Sequence, residues 1–234
     1  MSDLKIPIAP DLAPPLAKPL FSDFAARTLG WVGVQLSITA AIVGAMYVHK
    51  DRVIEYTHKH PGTQVATFVL AIVFMIALFV LKGPRTRVTV FGLFTVSTSF
   101  MLGVGVLPYS PKTVLLAAGA TWFIVCGAGV YSWSLAVKGK DVSGWGGPLL
   151  GVLTLVVILN VANIFLNLPL LHLALAGVSV VLFTAYLVYD LVELYSGRDA
   201  ADPLFNDGLI AAVSIYLDII NIFANLLTVI DRAR

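Results

Sequence analysis

Two acidic residues, Asp190 and Asp218, are the side chains best placed to do chemistry in this chain. Asp190 closes the run Val180-Val181-Leu182-Phe183-Thr184-Ala185-Tyr186-Leu187-Val188-Tyr189, and Asp218 sits inside residues 209–230, which otherwise carry no formal charge. An ionisable group in such surroundings is costly unless it faces a partner, water or an ion. Two carboxylates brought close together in a low-dielectric region hold one shared proton more readily than isolated aspartates do. Once deprotonated, such a pair attracts a hard cation.

The elements that must position them are membrane helices. Of the 234 residues, 59% are hydrophobic and 12% charged, against about 25% charged in a typical soluble domain, and the mean hydropathy is +0.92. The formal charge of +2 is too small and too dispersed for nucleic-acid binding. The single cysteine, Cys126, excludes an internal disulfide and a cysteine-rich metal centre, and reads as a small helix-packing residue. The composition implies an integral membrane protein with the lipid bilayer as its first partner; whether that bilayer is a bacterial inner membrane, the mitochondrial inner membrane or the endoplasmic reticulum is left open.

Seven spans follow from the apolar runs: residues 28–49, 65–81, 88–107, 113–137, 149–167, 170–189 and 209–230. Residues 1–27 hold Pro7, Pro10, Pro14, Pro15 and Pro19 and read as an extended amino-terminal tail rather than a signal peptide, a candidate contact for protein partners. Residues 28–230 form the membrane domain and 231–234 a short tail. Residues 50–59 are expected to be a polar loop. In span five Asn160, Asn163 and Asn167 share one helical face, either as an interhelical hydrogen-bonding strip or as a lining for water or ions. In span seven Ser214, Asp218, Asn221, Asn225 and Thr228 fall four, three, four and three apart, a single polar stripe. A polar stripe does not face lipid, so this helix is expected at the centre of the bundle. Nine Lys and Arg lie on the side of the amino terminus and six on the other, which favours an amino terminus in the inner compartment. Asp190 is then expected at the inner end of span six, with Asp218 at a similar level.

With these residues in view, the chain resembles the BAX inhibitor-1 family, also called the transmembrane BAX inhibitor motif family. The resemblance rests on Tyr186-Leu187-Val188-Tyr189-Asp190 and on Ile215-Tyr216-Leu217-Asp218-Ile219-Ile220-Asn221-Ile222-Phe223. Gly92-Leu93-Phe94-Thr95 leading to Leu107-Pro108, and the basic and small-residue turn at 138–147, are similar to further parts of the family pattern. The resemblance implies an all-α fold of seven transmembrane helices with the seventh central. It also implies a pH-sensitive calcium leak in which Asp190 and Asp218 share a proton near the inner mouth. Two departures stand out: Leu191 follows Asp190 where threonine is usual, and span two lacks the basic residue that in many members latches the acidic pair, Arg85 and Arg87 lying beyond it.

Three functions compete on this reading. In the first, calcium ions and protons are the partners, and Ser214, Asn160, Asn163, Asn221 and Asn225 offer neutral oxygens along a path. In the second, the protein is a non-conducting scaffold or accessory subunit of a larger membrane complex, with the aspartates a structural pair. The third, a membrane enzyme, lacks a nucleophile–base pattern, a histidine–acid metal motif and a phosphate-cradling loop. Asp218 is preceded by Tyr216-Leu217 and not by the glycine of intramembrane aspartyl proteases. No cofactor is implied beyond transient calcium.

Overall fold

A computed structural model describes residues 23–197 and 207–233. Among them eight α-helices run in order: α1 (Asp23–Val48), α2 (Lys50–Lys59), α3 (Gly62–Val80), α4 (Pro84–Val106), α5 (Pro111–Val137), α6 (Gly146–Leu166), α7 (Pro169–Ser196) and α8 (Leu209–Arg232). Seven of them, all but α2, are long and apolar enough to cross a membrane. The protein is therefore an all-α, multi-pass membrane protein, and the seven expected spans correspond to α1 and α3 through α8. The proline-rich leader lies outside the described residues.

Two elements and one side chain differ from expectation. Residues 50–59 form the helix α2 and not a loop. Asp51 sits in its first turn and His58 and Lys59 in its last, as the helix dipole favours. Glu55 pairs with Lys59 one turn on. At ten residues and strongly polar, α2 lies along the surface between α1 and α3. The sixth span runs on to Ser196, where Gly197 adopts a left-handed conformation (φ 75°) and its amide closes on the carbonyl of Leu194. Asp190 is consequently inside α7, six residues or about 9 Å before its end, and not at the terminus. Cys126 is exposed on α5 instead of packing between helices.

The central position of the last span holds. α8 packs on α7 most extensively and on α5, α1 and α4, while α3 leans on α4 and α6 on α7 as outer helices. It is the most buried of the seven spans, because its apolar face, Ala212, Ile215, Tyr216, Ile219 and Ile222, enters the core. Here the polar-stripe argument is right in outcome and incomplete in cause. The most deeply enclosed polar atom on α8 belongs to Tyr216, which is 0% exposed and lies on the opposite side from the stripe.

A hydroxyl network joins Tyr216 to two neighbours. Its OH meets Thr39 Oγ1 of α1 at 2.8 Å and Thr98 Oγ1 of α4 at 3.2 Å. Thr39 Oγ1 in turn meets Ser99 Oγ at 2.8 Å, and Gln35 Nε2 donates to Thr95 Oγ1 at 3.2 Å. Small hydroxyl residues on α4 thus bring α1 and α8 close while satisfying polar groups that lipid cannot. Replacing Tyr216 by Phe should lower the stability of the detergent-solubilised protein by about 1 kcal/mol, read as a fall in the thermal unfolding midpoint. The loss is modest because Thr39 and Thr98 keep bonds to their own helices.

Candidate functional site

α7 and α8 carry the two aspartates to the same level of the bundle. Asp218 lies nine residues, about 13 Å, from the start of α8, and Asp190 about 9 Å from the end of α7. Side chains on these two helices face each other there: the Asp190 and Asp218 carboxylates act on one another electrostatically, and the Tyr186 hydroxyl, one turn before Asp190, lies in the field of both. Asp218 is 6% exposed and Asp190 half-buried. The Oδ2 of Asp218 is buried with no hydrogen-bond partner among the described residues. A buried carboxylate oxygen left in that state is a ready acceptor for a proton or a ligand for a cation.

The remaining stripe residues are arranged differently. Ser214 is half-buried one turn inward of Asp218. Asn221 and Asn225 donate their amides to the carbonyls of Leu217 and Asn221, each at 2.8 Å. One N–H of each is thus spent on its own helix, and the side-chain carbonyl and the second N–H are left to meet other groups. Asn221 lines a cavity of about 480 Å³ between α3, α4 and α8, walled by Phe68, Met75, Phe94, Met101 and Leu217. Asn160 and Asn163 stand together at the far end of the bundle. Asn160 bonds to the carbonyl of Val156 at 2.9 Å, and the Oδ1 of Asn163 accepts the amide of Leu168 at 3.1 Å, closing the α6–α7 turn. The structure therefore brings Asp190 to Asp218 and Asn160 to Asn163, and sets Asn221 and the Asn160–Asn163 pair against different cavities.

The start of α8 holds an ion pair that was not anticipated. Asp207 uses both oxygens: Oδ1 accepts the amide of Leu209 at 3.0 Å, and Oδ2 meets Arg87 Nη1, in the first turn of α4, at 2.9 Å. Gly208 between them is left-handed (φ 76°), and a side chain there would strike Thr28 Oγ1 of α1. Arg87 lies beyond the second span, as its sequence position requires, yet it reaches the amino-terminal end of the helix that carries Asp218. The basic turn Lys82-Gly83-Pro84-Arg85-Thr86-Arg87 was the available signal, but sequence alone does not say which acid across the bundle such an arginine meets.

No group of three or more His, Cys, Asp or Glu capable of holding a metal occurs among the described residues. Seven apolar helices, the last of them central and carrying a buried aspartate, define the class as a polytopic membrane protein. The sequence profile of the family described as "Inhibitor of apoptosis-promoting Bax1" matches residues 22–234, and the chain belongs to that family. It is 26% identical to Protein LIFEGUARD 1 of Arabidopsis thaliana over 206 residues, 86% of this chain and 85% of that protein. It is 28% identical to BI1-like protein of the same plant over 212 residues, 89% and 80% of the two chains. Identity to Protein LIFEGUARD 4 rises to 34% over 147 residues, but the match spans only 61% of this chain and 56% of that one. Membership places the protein among membrane regulators rather than enzymes.

Two substitutions test the anchoring of α8. Asp207→Asn keeps an oxygen for the Leu209 amide but loses the charge pair with Arg87, and should cost about 1 kcal/mol. Gly208→Ala should cost more, about 1–2 kcal/mol for the left-handed backbone alone plus the collision with Thr28. Thermal unfolding in one detergent ranks the two.

Proposed function

We propose that this protein is a slow calcium leak regulated by protonation of the Asp190–Asp218 pair. The observation that carries this reading is the buried Oδ2 of Asp218, without a hydrogen-bond partner among the described residues and within the field of Asp190. With one proton between them, the two carboxylates carry a single negative charge and α7 and α8 stay packed. Loss of that proton doubles the charge, draws in a hard cation and drives the helices apart. Calcium takes about 6–8 oxygen ligands, so two carboxylates hold it only in passing, as cargo. Ser214 and the side-chain carbonyls of Asn221 and Asn225 extend the supply of oxygens along α8. Asn160 and Asn163, at the far end of the bundle beside Arg232, stand apart from this supply.

The sign of the pH dependence follows. As pH falls the pair takes up its proton, the attraction for calcium weakens and flux decreases; as pH rises flux increases. In proteoliposomes loaded with a calcium indicator, Asp218→Asn should reduce the flux at neutral pH by about tenfold or more, since a unit charge at close range in a protein-like dielectric exceeds about 1.4 kcal/mol. Asp190→Asn should shift the same transition, because a shared proton belongs to the pair. Asp51→Asn, on the exposed surface of α2, should leave the curve unchanged. A folded wild type that passes no calcium from mildly acidic to mildly basic pH, or pH curves identical for wild type and both membrane-aspartate variants, would replace the leak by the non-conducting scaffold.

A further inference from the structure

At the end of the bundle remote from the two aspartates, a cavity of about 400 Å³ opens between α6, α7 and the last turn of α8. Its polar lining is Asn160, Asn163, Asn167, His172 and Arg232. Asn163 is nine-tenths buried, at 9% exposed, and its oxygen is engaged by the Leu168 amide. Its Nδ2 has no hydrogen-bond partner among the described residues, and neither does the guanidinium of Arg232. Pro169 opens α7 at this same point, so the positive end of that helix dipole adds to the arginine. Among the described residues no acidic side chain lines the cavity; Asp231, next to Arg232 in sequence, is outside its wall.

Around this polar cavity the surface is strongly apolar. Phe165 is 82% exposed and Leu170 79%, with Ile164, Leu166 and Leu168 exposed beside them. No charged residue occurs between Asp141 and Asp190, so the α6–α7 turn carries no charge to hold it above the bilayer. A cationic, donor-rich cavity ringed by exposed apolar side chains suits a ligand with a charged head and apolar chains.

We infer that this cavity binds the phosphate of a bilayer phospholipid, with the Arg232 guanidinium and the Asn163 amide donating to the phosphate oxygens and the acyl chains lying along Ile164 and Phe165. The guanidinium fork matches phosphate geometry, and hydrogen bonds between ionised partners are the strong ones. His172 adds an N–H donor in either protonation state. The site is separate from the aspartate pair and does not depend on whether the protein conducts.

The test uses the full chain, stripped of co-purifying lipid in mild detergent and titrated with phosphatidylglycerol, with bound lipid counted by intact-complex mass spectrometry. Arg232→Gln should weaken retention roughly tenfold, the loss of one charge-assisted contact, and His172→Phe, which removes the N–H donor, should act in the same direction. Lys112→Gln removes an exposed cation at the same end of the bundle but outside the cavity and should leave retention unchanged. Equal losses in Arg232→Gln and Lys112→Gln would overturn the site in favour of diffuse surface charge. Retention of diacylglycerol, which has no phosphate, as well as phosphatidylglycerol would also overturn it. Displacement of the lipid by inorganic phosphate at millimolar concentration would reassign the cavity to free phosphate.

Discussion

The fold turns on the need to keep an aspartate about 13 Å along a membrane helix away from hydrocarbon. That need is met by surrounding α8 on four sides with α1, α4, α5 and α7. Once α8 is central, α7 must run beside it, and the acid near the end of α7 comes within the field of Asp218. The outer helices α3 and α6 are free of this constraint, and their exposed faces are almost wholly apolar.

A second set of contacts keeps α8 from being held by the acids alone. Tyr216, two residues before Asp218, points the other way and ties α8 to α1 and α4 through hydroxyls. At its start the helix is held by Asp207 against Arg87 and by the contact of Gly208 with Thr28. Within the bundle the face bearing Asp218 is therefore the one whose interactions depend on charge, while the opposite face is fastened by neutral hydrogen bonds and packing and the amino-terminal end by an ion pair of its own. A helix fastened in this way can answer a change of charge on one face without leaving its place in the bundle.

Much of this was legible in the chain. Seven apolar runs are unambiguous because the bilayer sets both their length and their composition, and the four-three-four-three stripe on the last of them identifies the central helix. The nature of residues 50–59 was not legible, because an amphipathic surface helix of ten residues and a charged loop have much the same composition; the pairing of Glu55 with Lys59 decides between them. The end of α7 was missed because Asp190, a charged residue, looks like the edge of a membrane span, although helices often run beyond the hydrocarbon. Within the site, Asp190 and Asp218 announce themselves as charges in apolar sequence. Tyr216, Thr39 and Thr98 do not, since hydroxyls are common in membrane helices and only their spatial convergence gives them meaning. The partner of Arg87 was hidden for the same reason, being 120 residues away in sequence.

The turn between α6 and α7 bears on how the protein enters its membrane. Forty-eight consecutive residues, 142–189, carry no formal charge, and the reversal in their middle is made by Asn167 in a left-handed conformation with Asn163 accepting the next free amide. The two helices thus form a hairpin whose bend satisfies its own backbone and has no ion to drag through hydrocarbon. Such a pair can partition from the insertion machinery as one unit, tip first, and wait in the lipid for α8 to arrive with its carboxylate already provided with a neighbour.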